Sequence, residues 1–159
     1  MTNPTTLPYR PCAGVMLLNR EGKVFVGQRL DSTLEAWQMP QGGIDHGEEA
    51  LEAAYRELWE ETGVERRYVE LVAAAPDELY YDLPEDLIGK VWKGKWRGQR
   101  QLWFLFRFLG EDGDVNIATA DPEFRVWRWA DPADLPDIIV PFKRALYQEI
   151  LGIFQPHLG

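Results

Sequence analysis

The chain has 159 residues, 45% of them apolar, with seven Trp, seven Phe and six Tyr, and a formal net charge of −9. That composition excludes a disordered chain, and a chain of this length buries roughly two-thirds of its surface on folding, enough for one domain spanning residues 1–159. The net charge excludes a general polyanion coat, so no DNA partner is expected.

No apolar run approaches the roughly 18 residues of a membrane span, so no membrane partner is expected. The start "MTNPTTLPYRPC" has neither a charged opening nor an apolar core and does not read as a signal peptide. Cys12 has no second cysteine to pair with, and the expected compartment is the cytoplasm.

In chain order, "GVMLLN" and "KVFVGQRL" flank "NREGK" and predict a hairpin turning at Gly22. "AWQMPQGG" predicts a short strand running into a glycine pair. Residues 48–62 predict a helix, with Gly63 as a left-handed cap. "YVELVAAA" and "ELYYDL" predict strands. "QLWFLFRFL", 101–109, is apolar on both faces and predicts a covered central strand. "FRVWRWA" predicts another strand. "PFKRALYQEILGIF" predicts a final helix that places Phe142, Leu146, Ile150 and Ile153 at helical spacing. Strands, helix, strands, helix predict an α/β fold with a mixed sheet between helices.

The helix raises the sharpest question. At about 100° per residue, Glu60 lies about −60° and Glu61 about +40° from Glu57, so the three carboxylates share one face. Their mutual repulsion costs a few tenths of a kcal/mol per pair. Ala50, Ala53 and Ala54 line the same face, while Leu51, Tyr55, Leu58 and Trp59 lie opposite, where a core is expected. Clustered carboxylates beside small residues suit hard divalent cations, which take oxygen ligands and leave room for phosphates. An ordinary solvated acidic helix is the plain alternative. Arg56 stands one turn from Glu52 in the favourable order, and reads as a structural brace of the helix and the loop before it. In that loop, "PQGGIDHGEE", the glycines allow close approach of backbone to a ligand. His46 is read as an exposed loop side chain. "KVWKGKWRGQR", 90–100, sets Lys90, Lys93, Lys95, Arg97 and Arg100 on an acidic background. It reads either as a focused anion site or as a solvated basic loop.

Loop and helix together read "GGIDHGEEALEAAYRELWEETGV", Gly42 to Val64. This resembles the Nudix box, G-x5-E-x7-R-E-U-x-E-E-x-G-U with U apolar. Gly42, Glu48, Arg56, Glu57, Leu58, Glu60, Glu61, Gly63 and Val64 meet every fixed position. "YRPCAGVML", "YDLP", "GQRQLWFLFRF", "PEFRVWRW" and "PFKRALY" extend the resemblance over most of the chain. They are similar to the branch of bacterial RNA pyrophosphohydrolases and asymmetrical dinucleoside tetraphosphate hydrolases.

The resemblance implies an α/β/α sandwich that cleaves phosphoric anhydride bonds of nucleotides with a divalent cation, Mg²⁺ first, with Mn²⁺ and Zn²⁺ as alternatives. It implies that Glu57, Glu60, Glu61 and the Gly42 carbonyl hold metal, with Glu48 and Arg56 as brace. It adds Glu123 of "PEF" as a further carboxylate; the residues themselves leave Asp121 as its rival. Glu57, Glu61 and Glu123 are the candidate catalytic bases. The expected substrate is a nucleoside polyphosphate or the 5′ end of RNA, gripped by Arg29, Lys95, Gln99, Arg100, Lys143 and the other basic residues of 93–100. Tyr81 and Phe142 are candidate base platforms, with core packing as the plain alternative for both. "YYDLP" and "VWKGKWRG" are candidates for a second platform. The branch pattern GQxQKWF has Lys where this chain has Leu102, so that charge must come from Arg29, Lys95 or Arg100. Protein partners are not indicated.

Overall fold

The computed structural model describes residues 7–32, 34–90 and 94–158. Trp92 and Lys93, among the basic and aromatic candidates, lie outside the described residues. Among the described residues seven strands form one sheet: β1 (Tyr9–Leu18), β2 (Val24–Arg29), β3 (Gln41–Gly43), β4 (Val69–Ala74), β5 (Leu79–Asp82), β6 (Gly98–Phe108) and β7 (Phe124–Ala130). The path runs β4-β6-β1-β2-β7, with β3 paired to β1 and β5 to β6. β1 and β6 are parallel from Tyr9↔Gly98 to Leu18↔Arg107, and the other pairings are antiparallel. The hairpin turns at Gly22, as its sequence predicts, with φ of 77°.

Alternation along β1 and β6 divides the core in two. Ala13, Val15, Leu17, Phe104 and Phe106 face helix α1 (Ala50–Thr62). Met16, Trp103 and Leu105 face α2 (Leu135–Ile138) and α3 (Arg144–Phe154). The sheet therefore lies between helices, in the mixed α/β/α arrangement expected. Each buried large apolar side chain contributes about 1.5–3 kcal/mol, so both faces must be covered. The short α2 is not legible in "PADLPDI", where two prolines hide it. The last helix begins with a 3₁₀ turn at Pro141–Lys143. That turn leaves Phe142 39% exposed, so Phe142 is not the core residue its helical spacing implies. Among the described residues no helix is long and apolar enough to cross a membrane.

Helix α1 docks differently from its sequence reading. Ala53 and Ala54 are fully buried against the sheet, whereas Trp59, placed on the core side, is 56% exposed. Alanine lets the helix backbone come close to β1 and β3, and this carries the carboxylates to the sheet as well. Leu58 is buried as expected, and Tyr55 is half-buried, stacked on Phe106 at 4.8 Å under the Arg66 guanidinium. The helix ends where Gly63 takes φ of 72° and donates its N–H to the Trp59 carbonyl at 2.8 Å.

The segment leading into β3 is tied from several directions. Gln38 bridges to Gly27, Trp37 N–H donates to the Ile138 carbonyl, and Val15 N–H donates to the Pro40 carbonyl. Met39 N–H donates to the buried Tyr147 hydroxyl at 2.9 Å, which joins this segment to α3. Tyr147→Phe should strand that N–H without a partner. The expected loss is about 1–3 kcal/mol, which thermal unfolding would register as a drop of about 2–4 °C per kcal/mol at this chain length.

Candidate active site

Arg56 is the hub of the loop and helix. Its Nε and Nη2 donate to the two carboxylate oxygens of Glu48 at 2.9 and 2.8 Å, and Nη2 also donates to the Gly43 carbonyl at 2.8 Å. Nη1 donates to Glu57 at 2.8 Å and Glu60 at 3.1 Å. Glu48 in turn accepts the Asp45 N–H at 3.0 Å. A planar guanidinium with five donors is suited to binding several acceptors at once. Arg56 thus pairs with Glu48, the partner that the resemblance implies, and not with Glu52, the partner that helix spacing suggests, which pairs instead with Arg66. The Arg56 hydrogen bonds hold the Glu48 carboxyl down at about 2.

Glu57 and Glu61 sit where α1 meets β3. Gly42 lies flat against the Glu57 carboxylate, and any Cβ there would collide with it. Glu61 is 4% exposed and accepts the Gln41 N–H at 3.0 Å. Burial, then the charges of Glu57 and Glu123, push its pKa well above the ordinary carboxylate value. Burial also raises Glu57, against the pull of Arg56. Glu60 is nearly half exposed. Of the two candidates near the start of β7, both Asp121 and Glu123 line the cavity, but Glu123 is the one whose charge bears on Glu61.

These carboxylates line one side of a cavity of about 860 Å³. Gln41, Gly42 and Gly43 of β3 form its floor, and Arg10, Arg29 and Lys143 bring positive charge to it. Arg29 donates to both Asp31 oxygens at 2.7 and 2.6 Å and lies 3.7 Å from Glu123. Burial lowers the Lys143 pKa to about 8, and its Nζ lies 5.0 Å from the Tyr81 ring centre and 5.8 Å from that of Phe142. Gln99, Tyr81 and Phe142 also line the cavity. Lys95 and Arg100 do not: Lys95 is exposed elsewhere, and Arg100 donates to Glu78 at 2.8 Å. Leu102 packs on the α1 side of the sheet. Arg10 was absent from the sequence candidates. Its signal was its place on β1 opposite Gln99, a register that only the parallel β1–β6 pairing reveals.

The residues present suit a hard cation. The donors are oxygens, Glu61 is a buried carboxylate under the repulsion of two others, and Gln41 Oε1 is a buried acceptor without a partner among the described residues. As the side chains stand, no three His, Cys, Asp or Glu among the described residues are gathered tightly enough to hold an ion. Arg56 holds Glu57 and Glu60 to itself. A second recess of about 440 Å³ shares Glu57, Glu60, Glu61 and Glu123 and opens onto Trp59 and Asn116.

Two stability measurements follow from these charges. A carboxyl held down at about 2 stabilises the fold above its unfolded value of 4.5, and that stability is lost as pH falls between the two. Glu48→Gln should therefore cost about 2 kcal/mol near neutral pH, a difference that chemical denaturation would show vanishing in acid. Glu61 has the opposite sign, because its raised folded pKa penalises the anion as pH rises past it. Without divalent ions, Glu61→Gln should melt above the wild type near neutral pH. The gap should close in acid, and Mg²⁺ should raise the melting temperature of the wild type but not of the variant.

Comparison with known proteins agrees with this geometry. The family model described as NUDIX domain matches residues 8–150. A protein of Cereibacter sphaeroides named RNA pyrophosphohydrolase is 60% identical over 157 residues, covering 99% of this chain and 97% of the relative. One of Sphingopyxis alaskensis with the same name is 60% identical over 156 residues, covering 98% and 99%. Among solved structures, a C. elegans Ap4A hydrolase binary complex superposes with a TM-score of 0.66 at 20% identity, covering 92% of this chain and 98% of that one. An E. coli dihydroneopterin triphosphate pyrophosphohydrolase gives 0.69 at 19% identity, covering 89% and 96%. At those identities the superpositions speak for the fold. The box at 42–64, the sheet between helices and these matches establish that the chain belongs to the Nudix hydrolase family.

Proposed function

We propose that the protein removes pyrophosphate from the 5′-triphosphate end of RNA, by water attack on a phosphorus of the polyphosphate chain. The observation that carries this is the cavity itself, where carboxylates of α1 and Glu123 stand with Arg10, Arg29 and Lys143, beside the exposed Phe142 ring. Single-stranded RNA ends need a phosphate grip and one or two stacked bases, so a net charge of −9 is no obstacle. Two relatives at 60% identity bearing the name RNA pyrophosphohydrolase support the same substrate.

Glu57, Glu60, Glu61 and Glu123, with the Gly42 carbonyl, would hold the divalent cation, Mg²⁺ before Mn²⁺ or Zn²⁺. When bound, such an ion neutralises phosphate oxygens and lowers the pKa of its water. Glu57, on the cavity wall and held in place by Arg56, accepts the proton of the attacking water. Glu61 is less suited, since burial and the Gln41 N–H already occupy it. Arg10, Arg29 and Lys143 bind phosphate oxygens. A phosphate beside Lys143 would restore the charge that burial weakens. The Phe142 ring stacks on a base, with Tyr81 behind it at 6.1 Å.

A second reading, cleavage of diadenosine tetraphosphate to ATP and AMP, has its own support. A two-base substrate needs a second platform, and Trp59 stands exposed at the smaller recess, which shares the carboxylates. Comparing kcat/KM for triphosphorylated RNA and diadenosine tetraphosphate under one set of conditions separates the two. A preference for the dinucleotide would overturn the first. A non-catalytic phosphate-binding module is the remaining possibility, and metal-dependent phosphate release that EDTA abolishes would dismiss it.

Glu60 is exposed enough that Glu60→Gln should change stability by no more than about 1 kcal/mol. Its turnover with Mg²⁺ should fall about a hundredfold or more, the scale of one lost transition-state contact. Near-normal hydrolysis by this variant would remove Glu60 from the mechanism.

A further inference from the structure

Three side chains of β6 form a one-way chain of hydrogen bonds that ends at the cavity. Gln99, Gln101 and Trp103 alternate along the strand on the α3 side of the sheet, each about 1% exposed. The Trp103 indole Nε1–H donates to Gln101 Oε1 at 2.7 Å, and Gln101 Nε2 donates to Gln99 Oε1 at 2.7 Å. An indole N–H can only donate. It therefore decides which end of the Gln101 amide faces it, and that choice decides the Gln99 amide in turn. Reversing either amide would set like groups face to face where water cannot relieve them. The first donor is itself held rigidly. The Trp103 ring covers Gly14, where any Cβ would collide with it, and meets Tyr147 edge-on at 6.3 Å.

What remains at the end of the chain is Gln99 Nε2, a donor with no hydrogen-bond partner among the described residues, on a side chain that lines the large cavity. Arg10 stands beside Gln99 on β1 and Tyr81 beside it on β5. Arg10 and Lys143, which line the same cavity, also only donate. An acceptor bearing negative charge satisfies all of them, and a Gln99 carbonyl turned the other way would repel it.

We infer that Gln101 and Trp103 are positioning residues that hold Gln99 as a hydrogen-bond donor to an oxygen of the substrate's polyphosphate. This rests on the phosphoric-anhydride reading of the cavity above. The residues act in series: Trp103 orients Gln101, Gln101 orients Gln99, and only Gln99 touches the ligand.

The test is a mutant cycle on the dissociation constant of inorganic tripolyphosphate, measured by calorimetry with Mg²⁺ present. Gln99→Met should weaken binding about tenfold, the scale of one hydrogen bond to a charged group. Gln101→Met, which frees the Gln99 amide to turn, should weaken it several-fold. Gln101→Glu should weaken it more than Gln101→Met. Its carboxylate accepts from both Trp103 and Gln99 Nε2, and so points the Gln99 carbonyl at the phosphate. In the Gln99→Met background both Gln101 changes should lose their effect. With triphosphorylated RNA the same variants should raise KM and leave kcat nearly unchanged.

Trp103→Phe, which removes the first donor, should behave as Gln101→Met does and serves where the buried carboxylate prevents folding. Additive effects of Gln99 and Gln101 changes, equal binding by Gln101→Glu and the wild type, or no tripolyphosphate binding by the wild type would each overturn the inference. A wild type that binds tripolyphosphate with the expected cycle, yet releases no pyrophosphate from RNA, would sink the proposed activity and leave the hydrogen-bond chain standing.

Discussion

Close approach of α1 to the sheet is the constraint on which the site depends. Ala53 and Ala54 are fully buried, so nothing bulkier than a methyl separates that side of the helix from β1 and β3. Glu57 and Glu61 belong to the same side and are drawn in with the alanines, one onto Gly42 and the other onto the Gln41 N–H. A carboxylate removed from water in this way costs free energy unless something compensates it. Arg56 compensates Glu57, whereas among the described residues Glu61 accepts one backbone N–H and stands under two like charges, with the charge of Arg29 pulling the other way. That imbalance is what makes the place receptive to a cation.

The folded frame spends much of its polar bonding on keeping this arrangement rigid. Arg56 joins the glycine loop to the helix, Tyr147 joins the segment before β3 to α3, and neighbouring backbone N–H groups close the rest. Loops alone would let Gly42 drift from Glu57 by more than the tolerance of a catalytic site. The chain here is clamped from both helical layers. The cavity is therefore shaped by contacts that do not themselves touch a substrate.

Charge in the cavity is sorted. Negative groups come from α1, from the segment before β7 and from Asp31, which is bound to Arg29, and positive groups from β1, β2 and the turn before α3. Across such a gap a polyphosphate meets cations directly and carboxylates only through a metal. The Trp103–Gln101–Gln99 chain adds a neutral donor on the cationic side, its direction set by an indole that can only donate. Leu102, where a lysine would be expected by resemblance, lies on the α1 side of the sheet. The cavity's positive charge comes instead from Arg10, Arg29 and Lys143.

Local pattern was enough for the long strands, for α1 and for α3, but not for the short α2. Alternation, helical spacing and the Gly63 cap are properties of neighbouring residues, and the box from Gly42 to Val64 is contiguous, so both could be read along the chain. The partner of Arg56 was legible only through the box, which pairs it with Glu48; helix spacing offered Glu52, since Glu48 reaches Arg56 only after the loop folds back. The side of α1 that faces the sheet was legible only in part: Leu51, Tyr55 and Leu58 pack there as read, but Ala53 and Ala54 join them and Trp59 does not. A moment built on bulk points Trp59 inward, while the sheet accepts alanine because close backbone approach outweighs the burial of one large ring at the helix edge. Arg10 and the direction of the Gln99 amide were likewise hidden. Arg10 depends on the parallel pairing of β1 with β6, a contact between residues about ninety positions apart that no local signal encodes, and the Gln99 amide on burial of the Gln99, Gln101 and Trp103 side chains on one face of β6. Sequence determined which residue types were available for the reaction. Tertiary structure decided which of them meet, because desolvation and register act only between segments already brought together.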